Sequence, residues 1–159
     1  MAYVRPATVK DAVDLCPYLR PADRHEIISS TGVNPEVILP MSVGLSTGKV
    51  YSIFSKTHEI GGLFGVRPIL NHPEIGLIWL VMSDRFLTNR ADKIQFLRES
   101  PEWIREFHET YPILGNYAHA GNDLHLRWLK WMGFVLMQKK DPWGARGEAF
   151  YQFTRIRDV

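Results

Sequence analysis

The sequence predicts an α/β fold in a single domain over residues 1–159. Three observations carry that expectation. Apolar residues recur at a period of two in some stretches and near 3.6 in others, so strands and helices interleave along the chain. The run 75–82, IGLIWLVM, is the most apolar in the chain and reads as a central strand buried on both faces. Residues 116–134 read as a strand, a tight turn, a helix and a sharp stop.

Residues 2–6 form a short strand that Pro6 ends. Thr8 then caps a helix, with Asp11 three residues on in a capping-box arrangement. Ala12, Val13, Leu15, Cys16 and Leu19 supply its apolar face, so Cys16 reads as a small core residue. Pro21 opens a second helix, reaching about residue 30. Its first turns hold Asp23, Arg24, His25 and Glu26, a charged cluster of the kind that faces solvent. After a turn at 31–35, residues 36–46 are helical, and Pro40 is expected to kink them. A hairpin follows, with strands at 49–55 and 60–66 around a polar turn. Gly61, Gly62 and Gly65 in its second strand point to a bulge or a close backbone approach.

Residues 67–73, with two prolines, read as a loop before the central strand, and 83–89 as a loop after it. Helical periodicity then runs from Ile94 to Tyr111. Ser100 and Pro101 look like an N-cap and a first-turn proline, so one kinked helix or two in tandem are expected. Residues 113–119 form the strand that leads into the next helix. Asn122 stands at the N-cap position of that helix, Asp123 in its first turn, and Gly133 just past its end. Strands at 134–139 and 149–156, joined by a loop at 141–147, read as a closing hairpin.

Composition excludes several classes. A net charge of +2 is too small a field to argue for nucleic acid. No apolar run approaches the roughly 20 residues that span a bilayer, and the polar N-terminus lacks the core of a signal peptide. The single cysteine allows no intramolecular disulfide. The six histidines and scattered acids show no ligand spacing, so no metal site is expected. An intracellular, reducing compartment is the expectation.

Residues 116–134 resemble the last conserved segment of the GNAT acetyltransferase superfamily: Asn122 at a helix start, the helix, then Gly133-Phe134. The order of the other elements is also that family's, so the resemblance covers nearly the whole chain. It implies a central mixed, mostly antiparallel sheet flanked by helices on both faces, and it implies acetyl-CoA as cofactor. In that family the segment after the central strand binds pyrophosphate through successive backbone N–H groups at a helix N-terminus. Glycines there allow the close approach. Here residues 83–92, SDRFLTNRAD, contain no glycine. Asp84 and Asp92 bring negative charge to the place, Arg85 and Arg90 partly offset it, and Asn89 is able to adopt a left-handed conformation.

If acetyl-CoA binds, the resemblance makes Met82, Asn89, Arg90 and Asn122 the residues that hold it. The family's tyrosine general acid is replaced by Leu129. The family's base is often a glutamate on the central strand. The run 75–82 has no carboxylate, and Glu74 lies at its start. His119, at the end of the following strand, is the first base candidate. Glu74 and His125 are the others.

Ser83-Asp84 after a Trp-containing strand, with Asn116-Tyr117, Gly121-Asn122, His125 and Gly133, resembles the small internal virion protein family of short-tailed phages. That resemblance implies a GNAT-like scaffold serving assembly of internal core and ejection proteins. Its place would be the infected cell's cytoplasm or the virion, and its partners other virion or host proteins. Two functions stand as expectations: an assembly factor with a degenerate acetyl-CoA site, or an acetyl-CoA-dependent N-acetyltransferase acting on an amine or protein. Trp103, Trp128, Trp131 and Trp143 read either as core or as an aromatic partner-binding patch.

Overall fold

The computed structural model describes residues 3–158; Ala2, expected in the first strand, lies outside them. Seven strands form one sheet: β1 (Tyr3–Pro6), β2 (Lys49–Phe54), β3 (Ile60–Ile69), β4 (His72–Met82), β5 (Ile113–His119), β6 (Val135–Trp143) and β7 (Glu148–Ile156). Their order is β1-β2-β3-β4-β5-β7-β6. Only β4 and β5 pair in parallel. The helices are α1 (Val9–Leu15), α2 (Pro21–Thr31), α3 (Pro35–Gly44), α4 (Asp84–Thr88), α5 (Arg90–Thr110) and α6 (Asp123–Trp131). None is long and apolar enough to cross a membrane.

Strand alternation explains why both faces are covered. On β3, Leu63 joins Ala12, Leu15, Cys16 and Leu39 of the α1–α3 layer. Its neighbours Phe64 and Val66 point the other way, onto Ile104 and Phe107 of α5. The expected mixed sheet with helices on both faces is therefore present, with Cys16 in the core.

The capping box forms as read. Thr8 Oγ1 accepts from Asp11 N at 3.2 Å, and Asp11 Oδ2 accepts from Thr8 N at 2.9 Å. Asp11 also takes both guanidinium nitrogens of Arg5 and the hydroxyl of Ser52, tying β1 and β2 to α1. Thr8→Ala should cost about 1 kcal/mol, the usual size of a lost N-cap, measurable as a lower urea midpoint. The bulge also forms. Ile53 pairs with Gly62 and Phe54 with Ile60, leaving Gly61 as the extra residue. A Cβ on Gly61 would run into the Phe86 ring of α4.

Four segments differ from expectation, mostly at proline. Residues 67–73 are the tip of a long hairpin, with Ile69 paired to His72 and Asn71 at φ 67° in the turn. Pro68 sits where the ladder slips and both prolines are exposed, which a strand tolerates. Residues 83–89 hold the short helix α4, capped by Ser83 Oγ accepting from Arg85 N. Of the two alternatives at Pro101 a single helix is present, α5 running through the proline, but Ser100 donates back to the Phe96 carbonyl at 2.7 Å instead of capping. The last hairpin is longer than read, its turn narrowed to Gly144–Gly147 with both glycines at positive φ.

The parallel pairing fixes where the site lies. β4 and β5 are in register only over Ile75–Ile113, Gly76–Leu114 and Leu77–Gly115. Beyond these the strands part. Asn116 Nδ2 spans the opening to the Ile78 carbonyl at 2.9 Å.

Candidate functional site

Alternation along β4 decides which backbone groups meet the opening. Ser83 N donates to Gly61 O on β3, so the groups of Leu80 and Met82 face the other way, into the split. Those of Met82 are already engaged. Its N–H donates to Asp23 Oδ2 at 2.9 Å, and its carbonyl accepts from Arg20 N at 2.9 Å. The first turn of α2 is thus docked on the open end of the sheet.

The charged cluster on α2 is therefore only in part a solvated face: His25 is exposed, while Asp23 and Glu26 turn inward. Asp23 is 3% exposed. It pairs with Arg20 at 2.8 Å and accepts from Asn122 Nδ2 at 3.1 Å. Asn122 Nδ2 also reaches Glu26 Oε2 at 3.2 Å, and the same oxygen accepts from His125 Nδ1 at 3.2 Å. The backbone N–H of His119 donates to the other Glu26 oxygen. Two carboxylates buried together need this many donors. They draw Asn122, 1% exposed, away from the capping role expected of it. The one available signal was spacing. Arg20, Asp23 and Glu26 stand three apart on one helix face, and Asn122 and His125 likewise.

Burial raises the Asp23 pKa against the pull of Arg20 and His125. Burial alone would raise Glu26 too, but the charge and hydrogen bond of His125 hold it below its usual value. Burial pulls His125 down, and the adjacent Glu26 more than offsets that, leaving it raised. Among the described residues the one hydrogen bond of the His125 ring is made through Nδ1, which leaves Nε2 without a partner.

A second cluster lies beside the first. His25 Nε2 and His119 Nε2 donate to Glu148 Oε1 at 2.8 and 2.9 Å, and Ser29 Oγ donates to Oε2 at 2.9 Å. Nδ1 of His119 accepts from Gly121 N at 2.9 Å. Both ring nitrogens of the first base candidate are thus committed. The hydrogen bonds from His25, His119 and Ser29 lower the Glu148 pKa to about 2. A depressed carboxylate contributes stability above its ordinary value of 4.5 that is lost as pH falls towards about 2. Glu148→Gln should flatten that part of the acid limb in urea midpoints measured against pH.

Glu74, the other carboxylate candidate, stands at the far end of β4 beside His72, about 26 Å from Met82 at about 3.3 Å per residue. It takes no part in either cluster.

The split opens onto a cleft of about 410 Å³. Leu80 and Met82 of β4, Phe96 and Leu97 of α5, and Trp128 and Trp131 of α6 form its apolar walls. Arg20, Asp23, Lys93, His125 and Arg127 add the polar positions. A smaller chamber of about 30 Å³ lies deeper, sharing Leu80, Phe96, His125 and Trp128 with the cleft. Leu129 is in the core at 1% exposure. Of the tryptophans in question, Trp103 packs on Tyr51 and Phe64, Trp143 on Tyr117, and Trp128 on Phe96. Trp131 alone of these four is exposed, at 58%.

The expected cofactor positions are distributed unevenly. Met82 and Asn122 belong to the polar network beside the cleft. Asn89 is extended, not left-handed, and its side chain accepts from Asp92 N at 3.0 Å to cap α5. Asp92 is buried there and accepts from Lys56 N. Arg90 is exposed, and Arg85 pairs with Glu59 and lies over the Tyr18 ring.

No protein-family model matches the sequence, and no curated protein matches it. Solved structures do match. An acetyltransferase of the GNAT family from Streptococcus pneumoniae superposes with TM-score 0.69 at 16% identity, over 99% of this chain and 100% of that one. The ribosomal-protein-S5-alanine acetyltransferase from Vibrio fischeri gives 0.66 at 15%, over 99% and 93%. The spermidine N-acetyltransferase from Vibrio cholerae, solved with CoA and spermine, gives 0.69 at 10%, over 98% and 95%. At such identities the likeness is one of fold.

Proposed function

Starting from a chain that has the GNAT acetyltransferase fold, we propose an acyl-CoA-dependent N-acyltransferase acting on an amine. The observation that carries this reading is the parting of β4 and β5 onto a cleft with the unpartnered Nε2 of His125 at its wall.

The residues present fit an acyl thioester. Leu80, Phe96, Leu97 and Trp128 suit its apolar arm. The indole N–H of Trp128 is buried without a partner among the described residues, which suits a ligand bearing carbonyl or amide acceptors. Lys93 and Arg127 supply cations for phosphate. The start of α5 offers no glycine-lined cradle, so phosphate binding falls to these side chains. Bound there, the thioester supplies an activated acyl group.

Glu26 accepts from Nδ1 of His125, which fixes the neutral tautomer with its lone pair on Nε2. From that nitrogen His125 takes a proton from the acceptor amine, and Glu26 and Asp23 stabilise the imidazolium formed. Asn122 holds both carboxylates in place. Leu129 offers no proton donor, which leaves His125 and Asp23 as the acid–base groups of the cleft.

Calorimetric titration with acetyl-CoA, followed by assay against an amine panel, tests the reading. Micromolar binding with turnover is expected. Arg127→Glu should weaken binding about tenfold, roughly 1.4 kcal/mol. Absence of binding by folded protein would sink the enzyme.

A second reading is a binding protein on the same scaffold, serving assembly of internal virion proteins. The helical α4, the self-capped α5 and the engaged backbone of Met82 favour it, since each occupies a place where the fold's relatives would hold cofactor. Pull-down from infected cells would then identify virion or host partners.

A further inference from the structure

Away from the cleft, side chains from three elements bring one ligand atom each to a common point. His25 of α2, His119 at the end of β5 and Glu148 at the start of β7 place two Nε2 atoms and a carboxylate oxygen within 4.8 Å of one another. We propose that these three residues form a divalent transition-metal site, with zinc as the fitting ion and solvent in the fourth position. The site is independent of the acyltransferase reading.

The donor set selects the ion. Two imidazoles and one carboxylate suit a borderline ion with tetrahedral preference, and three protein ligands with one open position make a recurrent zinc arrangement. Magnesium and calcium prefer oxygen throughout. Both imidazole nitrogens aim at the same carboxylate oxygen, at 2.8 and 2.9 Å. Tetrahedral bonds of about 2.0–2.1 Å need donor separations near 3.3 Å. Moving each imidazole nitrogen about half an ångström further from that oxygen therefore makes room for an ion among the three.

The surroundings assist. Ser29 Oγ donates to the other oxygen of Glu148 at 2.9 Å, the outer hydrogen bond that orients a ligating carboxylate. His25 is 49% exposed and gives the ion a path from solvent. One contact must change. Gly121 N–H now donates to Nδ1 of His119, which places the ring proton on Nε2. Metal at Nε2 moves that proton to Nδ1 and releases Gly121, a glycine in an exposed turn free to turn its N–H to water.

An ion here would clasp α2 to β5 and β7, elements that the sequence places far apart. Spacing carries no trace of it, because each ligand arrives on a different element.

The test uses the untagged full chain, stripped with chelator. Cobalt(II) is titrated and the visible bands of a tetrahedral site are read; zinc is then added as competitor, and the thermal midpoint is followed against zinc concentration. One cobalt per chain, displaced by zinc, with a midpoint that climbs with zinc, is expected. Glu148→Gln and His25→Gln should each weaken cobalt binding at least tenfold, and His72→Ala, on the distant hairpin tip, should leave it unchanged. His25 is exposed enough that His25→Gln does not threaten folding. No tetrahedral bands and no zinc-dependent midpoint in the folded wild type, or bands that survive Glu148→Gln, would overturn the site and leave the three residues as a hydrogen-bonded tie.

Discussion

Asp23→Ala is expected to lower the unfolding free energy by about 3–5 kcal/mol, the range for removing one partner of a buried ion pair. Three groups lose their partner at once. The Arg20 guanidinium is left with its charge on a largely buried side chain. The N–H of Met82 loses its only acceptor among the described residues, since β3 lies on its other side. One donor of Asn122 is stranded at 1% exposure. Asp23→Asn keeps an acceptor for Met82 and should lose less. Urea denaturation of the two variants against wild type measures the difference, and equal loss in both would show that charge alone matters.

His125→Gln should reduce kcat for amine acylation by 10²–10⁴, the usual worth of a positioned general base. It should do so without unfolding the chain, because glutamine keeps a donor for Glu26. The pH profile gives the sharper readout. His125 is raised above its ordinary 6.5 by Glu26. Wild-type kcat/KM should therefore rise with pH through a value above 6.5, and the variant should lack that limb. Stability has the opposite sense for this residue. A raised histidine contributes stability fully present below 6.5 and lost as pH climbs through its folded value. Glu26, lowered from 4.5, contributes stability present above 4.5 and lost as pH falls below it. The pair should support the fold most between those limits. Circular dichroism midpoints across pH check this, and a profile identical in His125→Gln would refute the coupling.

Much of the fold was legible because its signals are local. The Thr8–Asp11 box, the apolar run of β4, the extra glycine at 61 and the stop at Gly133 each depend on residues within a turn or strand of one another. Prolines 68, 73 and 101 misled, since proline marks a break only where its missing N–H is needed. At the exposed hairpin tip no ladder bond is needed from either proline, and α5 runs on through Pro101 as one helix. The site was less legible. Asn122 looked like a cap because local propensity does not register a carboxylate 99 positions away. The α2 cluster looked solvated because charge runs usually are; His25 is, but the burial of Asp23 and Glu26 depends on where α2 docks. His119 was placed correctly at a strand end, but its two occupied nitrogens come from Gly121 and Glu148, neither visible from spacing alone.

The sheet is two antiparallel leaves, β1 to β4 and β5-β7-β6, joined along a seam only three residue pairs long. Two of those pairs contain glycine, at Gly76 and Gly115. At the open end the leaves are latched by Asn116 on Ile78 and, through α2, by Asp23 on Met82. Anything that wedges further between the leaves must release those latches. Affinity for such an occupant and rigidity of the empty chain are therefore set against each other, and changes that loosen the latch at Asn116 should tighten the grip on whatever enters.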